Sequence, residues 1–151
     1  MNPRVSLQSL ISNQIKVDRA EAMKTSRQLT LIELILKLDS VVDKALPVVF
    51  DVEGLYPGTI DSWRGSYNEL ALAYENGGER PTVSQLLSQC NAVNGKILQG
   101  YKGGDFLMGK TTPLWASNYG CSTGFRGNST AIIGLDVRAD LVVIITEAQD
   151  Y

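Results

Sequence analysis

Residues 131–146, AIIGLDVRADLVVIIT, are two apolar runs separated by a short charged segment. Ala131 to Val137 and Leu141 to Thr146 are rich in β-branched and aliphatic side chains, and Arg138-Ala139-Asp140 supplies the turn. Runs of this length, bounded by turn residues, read as strands. The spacing predicts an antiparallel hairpin with both strands largely buried. Working back from it, Gly-rich loops alternate with short apolar runs at Ile97-Leu98, Phe106 to Met108 and Leu114 to Ala116. Tyr67 to Tyr74 alternates, with Leu70, Leu72 and Tyr74 on one face and Glu69, Ala71 and Ala73 on the other, the period of a strand.

The first half of the chain carries helical signals instead. Thr30 with Glu33 makes a capping box ahead of Leu31, Ile32, Leu34, Ile35, Leu38, Val41 and Val42, a broad apolar surface that Pro47 ends. Leu46 to Val52 then reads as a strand that starts at proline and so lies near a sheet edge. Thr82 with Gln85 opens a second capped helix, with Val83, Leu86, Leu87, Cys90 and Val93 as its stripe and Gly95 at C′. Val5, Leu7, Leu10, Ile11 and Ile15 give a partial stripe, so residues 1–28 read as an N-terminal helical arm. With helices early and strands late, the expectation is an α+β fold. It has a mainly antiparallel sheet, two to three helices in the N-terminal and central parts, and a single domain over 29–151.

Composition narrows the chemistry. The 151 residues carry a net charge of −2, which does not favour a duplex nucleic-acid binder. Histidine is absent, which removes His-based triads, His acid–base work and most zinc or copper sites. The two cysteines are too few for a disulfide scaffold; Cys90 falls on a helical stripe and Cys121 in a Gly/Ser/Asn-rich loop. Met1 to Ile11 lacks a basic start followed by a long apolar run, and no stretch reaches the roughly 18 apolar residues of a membrane span. The reading is of a cytoplasmic protein without metal or cofactor and without ordinary catalytic machinery.

Gly104 to Thr111, GDFLMGKT, matches GxxxxGK(S/T), and Ala131 to Asp136 resembles the apolar strand ending in Asp that accompanies such a loop. The phosphate-binding mechanism needs a helix opening at Lys-Thr. Thr112-Pro113 and a segment with no helical stripe follow instead, so Lys110 is expected at a strand end or in a turn.

Two segments carry binding chemistry: Thr59 to Tyr67, and Gly100 through Asn118 to Arg126. Aromatic rings and guanidinium planes stack on bases, arginine forks hold phosphates, and asparagine reads a polar edge. On those grounds Arg64, Lys102 and Arg126 are candidate phosphate ligands. Trp63, Phe106 and Trp115 are candidate stacking faces, and Asn118 a candidate polar contact. The competing reading is that the aromatics are sheet packing and that Arg64 pairs with Asp61 at the surface.

The segments IDSWRGSYNELALAYE (60–75), TVSQLL (82–87), GYKGGDFLMGKTTPLWASNYG (100–120) and TAIIG (130–134) resemble a recurrent family of small phage-encoded proteins. That family shows a DSWRGSY-ELAL segment, a TGYKGG-F-M segment running into TPLWVANYG, and a terminal hairpin. The likeness spans about residues 45–146 and leaves 1–28 outside. It extends to the Thoeris anti-defence sponges, oligomeric phage proteins that bind a cyclic ADP-ribose isomer, and in some cases small cyclic oligonucleotides, without cleaving them. The resemblance implies a homo-oligomer in the host bacterial cytoplasm whose partner is a small nucleotide second messenger. The alternative is a protein–protein inhibitor of a host defence complex or enzyme.

Overall fold

The computed structural model describes residues 27–149, so the expected arm over 1–28 lies almost wholly outside the described residues. Helix α1 (Leu31–Asp39) starts where its capping box places it: Thr30 accepts from the Glu33 amide, and the Glu33 carboxylate accepts from the Thr30 amide at 2.8 Å. It ends earlier than Pro47 would require. The Ser40 hydroxyl donates to the Lys37 carbonyl at 2.7 Å. The Lys44 ammonium donates to the carbonyls of Asp39 and Val41. Side chains thus satisfy the last-turn carbonyls and close the helix by Ser40. Val42, expected on the buried stripe, is 98% exposed. Helix α2 (Val83–Val93) has the same kind of box, Thr82 with Gln85, and Gly95 follows at C′.

The strands are β1 (Val48–Phe50), β2 (Tyr56–Trp63), β3 (Ser66–Glu75), β4 (Ile97–Gln99), β5 (Asp105–Leu107), β6 (Leu114–Ala116), β7 (Ser129–Val137) and β8 (Val142–Gln149). Strands β4 and β5 form a separate hairpin, and the other six form one sheet in the order β1-β8-β7-β6-β3-β2. The terminal hairpin is antiparallel as expected, with Val137 opposite Val142. The sheet as a whole is mixed: three of its five pairings are antiparallel, in line with the expectation, and two are parallel, so it is not purely antiparallel. β1 runs parallel to β8, and β3 runs parallel to β6. The connection from β3 to β6 carries α2 and the β4–β5 hairpin, the long crossover that parallel neighbours need. Alternation within a strand marks its faces but carries no record of the direction of a partner far along the chain.

The two edges of the sheet meet. β1 and β2 stand at opposite ends of the pairing order, yet only residues 51–55 join them. A flat six-stranded sheet would hold its edges about 24 Å apart. The Phe50 amide instead donates to the Leu55 carbonyl at 2.9 Å, and the Leu55 amide to Val52 at 3.1 Å. The sheet therefore curls until its edges approach. One face, with Leu70, Leu72, Leu114, Ile132, Val142 and Ile144, packs on both helices. The other face holds a smaller cluster of Trp63, Ala71, Trp115 and Ala131. Between β6 and β7, which share the Trp115–Ala131 register pair, Leu29 fills the next rung. Its amide donates to Ile132 and its carbonyl accepts from Leu114, which ties the start of α1 into the sheet.

Candidate functional site

Three turns converge at one end of the sheet: the β2–β3 tip at 64–65, the β4–β5 turn at 100–104, and the loop after β6 at 117–120. Arg64 joins them. Its Nη1 donates to the Gly120 carbonyl at 3.0 Å, and its guanidinium lies 4.6 Å from the centre of the Tyr101 ring. Gly120 has φ +85°, and a Cβ there would sit 2.6 Å from the Tyr101 ring, so glycine alone permits this approach. The Tyr119 ring meets Tyr101 edge-on at 5.6 Å, and its hydroxyl reaches the Gln99 carbonyl at 3.4 Å. Both tyrosines stay about half exposed, Tyr101 at 49% and Tyr119 at 46%. Lys102 projects from the same turn, exposed and without an ion-pair or hydrogen-bonding partner among the described residues. Phe106 sits behind the turn, 5.5 Å from Tyr67.

This arrangement presents two cations beside two open phenol rings. One N–H of Arg64 is used on Gly120, which leaves most of its five-donor fork for an anion. The contact with the Tyr101 ring and the bond to Gly120 hold the guanidinium in place before any ligand arrives. Arg64 forms no ion pair with Asp61, whose carboxylate accepts from the Thr59 hydroxyl at 3.2 Å.

Of the seven residues the sequence singles out, the structure gathers Arg64, Lys102 and Phe106 here. Trp63 and Trp115 are 1% and 0% exposed and stack on each other, so neither presents a face to a ligand. The Trp115 indole N–H donates to Glu69 at 2.8 Å. Asn118 is committed to the backbone, accepting from the Tyr74 amide at 3.0 Å. Arg126 is a clasp elsewhere: its guanidinium meets Asp51 at 3.0 Å and donates to the Thr146 hydroxyl at 2.8 Å. Tyr101 and Tyr119 were not among the seven. Their signal was the glycine on the flanks, in Gly100-Tyr101-Lys102-Gly103 and Tyr119-Gly120, which marks an aromatic carried on a turn.

The GxxxxGK(S/T) match has the opposite polarity to a phosphate cradle. Lys110 lies exposed in a turn. The carbonyls of Lys110 and Thr112 accept from the first amides of α1, Ile32 and Leu31, at 2.9 Å each. The segment thus offers acceptors to a helix N-terminus and caps it. Cys90 is in the core, where burial pushes its thiol up to about 12, while Cys121 is exposed. Among the described residues no group of three or more His, Cys, Asp or Glu side chains is placed to hold a metal ion. No helix among them is long and apolar enough to cross a membrane. No protein-family model, curated protein or solved structure matches the chain.

Proposed function

We propose that this protein sequesters a small anionic nucleotide at the Arg64–Tyr101–Tyr119 patch without cleaving it. In this reading it is a phage anti-defence sponge for a cyclic ADP-ribose isomer or small cyclic oligonucleotide, acting in the host cytoplasm. The observation that carries the reading is the Arg64 guanidinium held over the Tyr101 ring, 4.6 Å from its centre, with most of its donors uncommitted. Arg64 and Lys102 take the phosphates, and the exposed ring of Tyr119 takes a base. A second copy of the chain completes the site, since a patch of half-exposed side chains alone encloses little of a ligand.

The test is to co-express the protein with a signalling TIR-domain enzyme, purify it, heat-denature it and analyse the released small molecules by mass spectrometry. Release of an unmodified cyclic nucleotide near one per site supports the reading. Arg64→Ala should then weaken binding by about 2–4 kcal/mol, and Tyr101→Ala should weaken it too.

A second reading, an inhibitor that docks on a host protein, draws on a different observation. Ile97 and Leu107 are register partners at the open end of the β4–β5 hairpin whose turn carries Tyr101, and are 61% and 67% exposed. Exposed apolar side chains on the same hairpin as an exposed Tyr suit a protein interface. Empty mass spectra, flat titrations with cyclic nucleotides and a stoichiometric host protein in the purified sample would favour it.

A further inference from the structure

A concavity lies away from the tyrosine patch. It has a volume of about 890 Å³ and runs between the edge strand β2 and the solvent face of α2. Helix α2 turns Val83, Leu86, Cys90 and Val93 into the core. That leaves Ser84, Gln85, Ser88 and Gln89 lining the groove opposite Thr59 of β2. A smaller cavity of about 320 Å³ shares Thr59 and Gln89 and prolongs the groove toward Leu98.

The edge of β2 is built against strand addition here. Pro57 lacks an amide hydrogen, and the register slips between Pro57 and Ile60. Both are devices that blunt an edge strand. The same irregularity brings Gly58 under the Glu75 side chain, where any Cβ would overlap the carboxylate. The Tyr56 hydroxyl accepts from the Gly78 amide at 2.8 Å, so its own proton is available to donate. Glu75, Glu79 and Arg80 line the groove, and none of them forms an ion pair among the described residues.

We propose that this groove is a separate binding site for a neutral carbohydrate, a short oligosaccharide lying along α2. The volume is in the range of small-molecule sites, roughly 300–1,000 Å³. Neighbouring hydroxyls of a sugar ring donate together to one carboxylate, the part played by Glu75. Gln89, Ser84 and Ser88 each offer both a donor and an acceptor, which matches a ligand whose every hydroxyl is both, and Gln85, whose Oε1 accepts from the Thr82 amide in the capping box, adds its amide hydrogens. Two carboxylates against one guanidinium disfavour a phosphate-bearing ligand, so the groove and the tyrosine patch select different chemistry. The continuation past Gln89 gives room for more than one ring.

The experiment is amide-resolved NMR titration with maltose, lactose and N,N′-diacetylchitobiose to about 10 mM, enough to reveal a dissociation constant near about 1 mM. At least one of the three should shift the amides of residues 58–59 and 84–89 saturably. Glu75→Gln should then weaken binding about 10-fold, and Gln89→Ala about 3-fold to 10-fold. Both side chains are exposed, so these variants keep the fold. Ser88→Trp, which fills the groove from an exposed helix position, should abolish the shifts. Arg64→Ala should leave them intact, which separates this site from the proposed nucleotide site. Absence of a saturable shift with all three sugars overturns the proposal, as do shifts that survive Glu75→Gln and Ser88→Trp.

Discussion

The indole rings of Trp63 and Trp115 lie face to face, their centroids 3.9 Å apart and their planes 14° from parallel. They come from β2 and β6, which are separated in the sheet by β3. The residue of β3 opposite Trp115 is Ala71, and its small side chain leaves room for the rings to meet above that strand. The pair is the centre of the sheet's second face.

Removing one ring should therefore cost core-scale stability. Trp115→Ala should lower the unfolding free energy by about 3–5 kcal/mol. Ala71→Leu, which intrudes where the rings meet, should cost about 1–3 kcal/mol. Urea unfolding followed by far-ultraviolet circular dichroism measures both. A loss below about 1 kcal/mol for Trp115→Ala would mean the stack is not where the sheet is held.

The patch residue should behave in the opposite way. Arg64 holds one hydrogen bond and one ring contact at a half-buried position, so Arg64→Ala should change stability by no more than about 1 kcal/mol. Its effect belongs to binding. An unfolding midpoint near that of the parent together with lost nucleotide retention is the expected pairing.

The Arg126 clasp ties the loop after β6 to β8 and to the end of β1. Asp51 accepts from the Thr146 amide at 2.8 Å and from its hydroxyl at 2.6 Å, as well as from Arg126. Arg126→Ala should cost about 1–3 kcal/mol, the range for a charged hydrogen bond. Thermal unfolding reads it. Nucleotide binding should survive, because Arg126 shares no partner with Arg64.

The cysteines should differ in reactivity. Cys121 is exposed, whereas Cys90 is buried with its thiol pushed up to about 12. A thiol reagent at neutral pH should label one cysteine per chain when native and two in denaturant. The raised folded value also fixes the sign of a pH effect. The Cys90 contribution to stability is complete below its ordinary value of 9.0 and is lost as pH rises toward about 12. Cys90→Ala should remove that share of the alkaline loss, measured as the difference between the two stability–pH curves.

The helix starts should each be worth a measurable amount. Thr30→Ala and Thr82→Ala break capping boxes and should cost about 1 kcal/mol each in urea unfolding.

What was legible in the sequence was local. The capping boxes at Thr30 and Thr82, the alternation of β3 and the terminal hairpin all arise within a few residues, and the structure has them. The parallel pairing of Val48 with Val142 depends on residues 94 positions apart, and no short pattern encodes it. The site residues divide along the same line. Trp63 and Trp115 carry the composition of a stacking site, but strand period places Trp115 on the face opposite Leu114 and Ala116, and Ala71 lets Trp63 close over it. Arg64 was visible as a cation beside aromatics. That it would rest on Tyr101 follows from Gly120, whose bare α-carbon admits the ring.

The curl of the sheet imposes an order on synthesis. β1 is made early, yet its one neighbouring strand in the sheet, β8, is the last strand of the described chain, so on the ribosome Val48 to Phe50 has no strand to pair with until Val142 to Ile144 has left the exit tunnel. The nascent molecule is an open sheet with one vacant seat, and a stop codon before β8 would leave two unpaired edges, β1 and β7, in every copy.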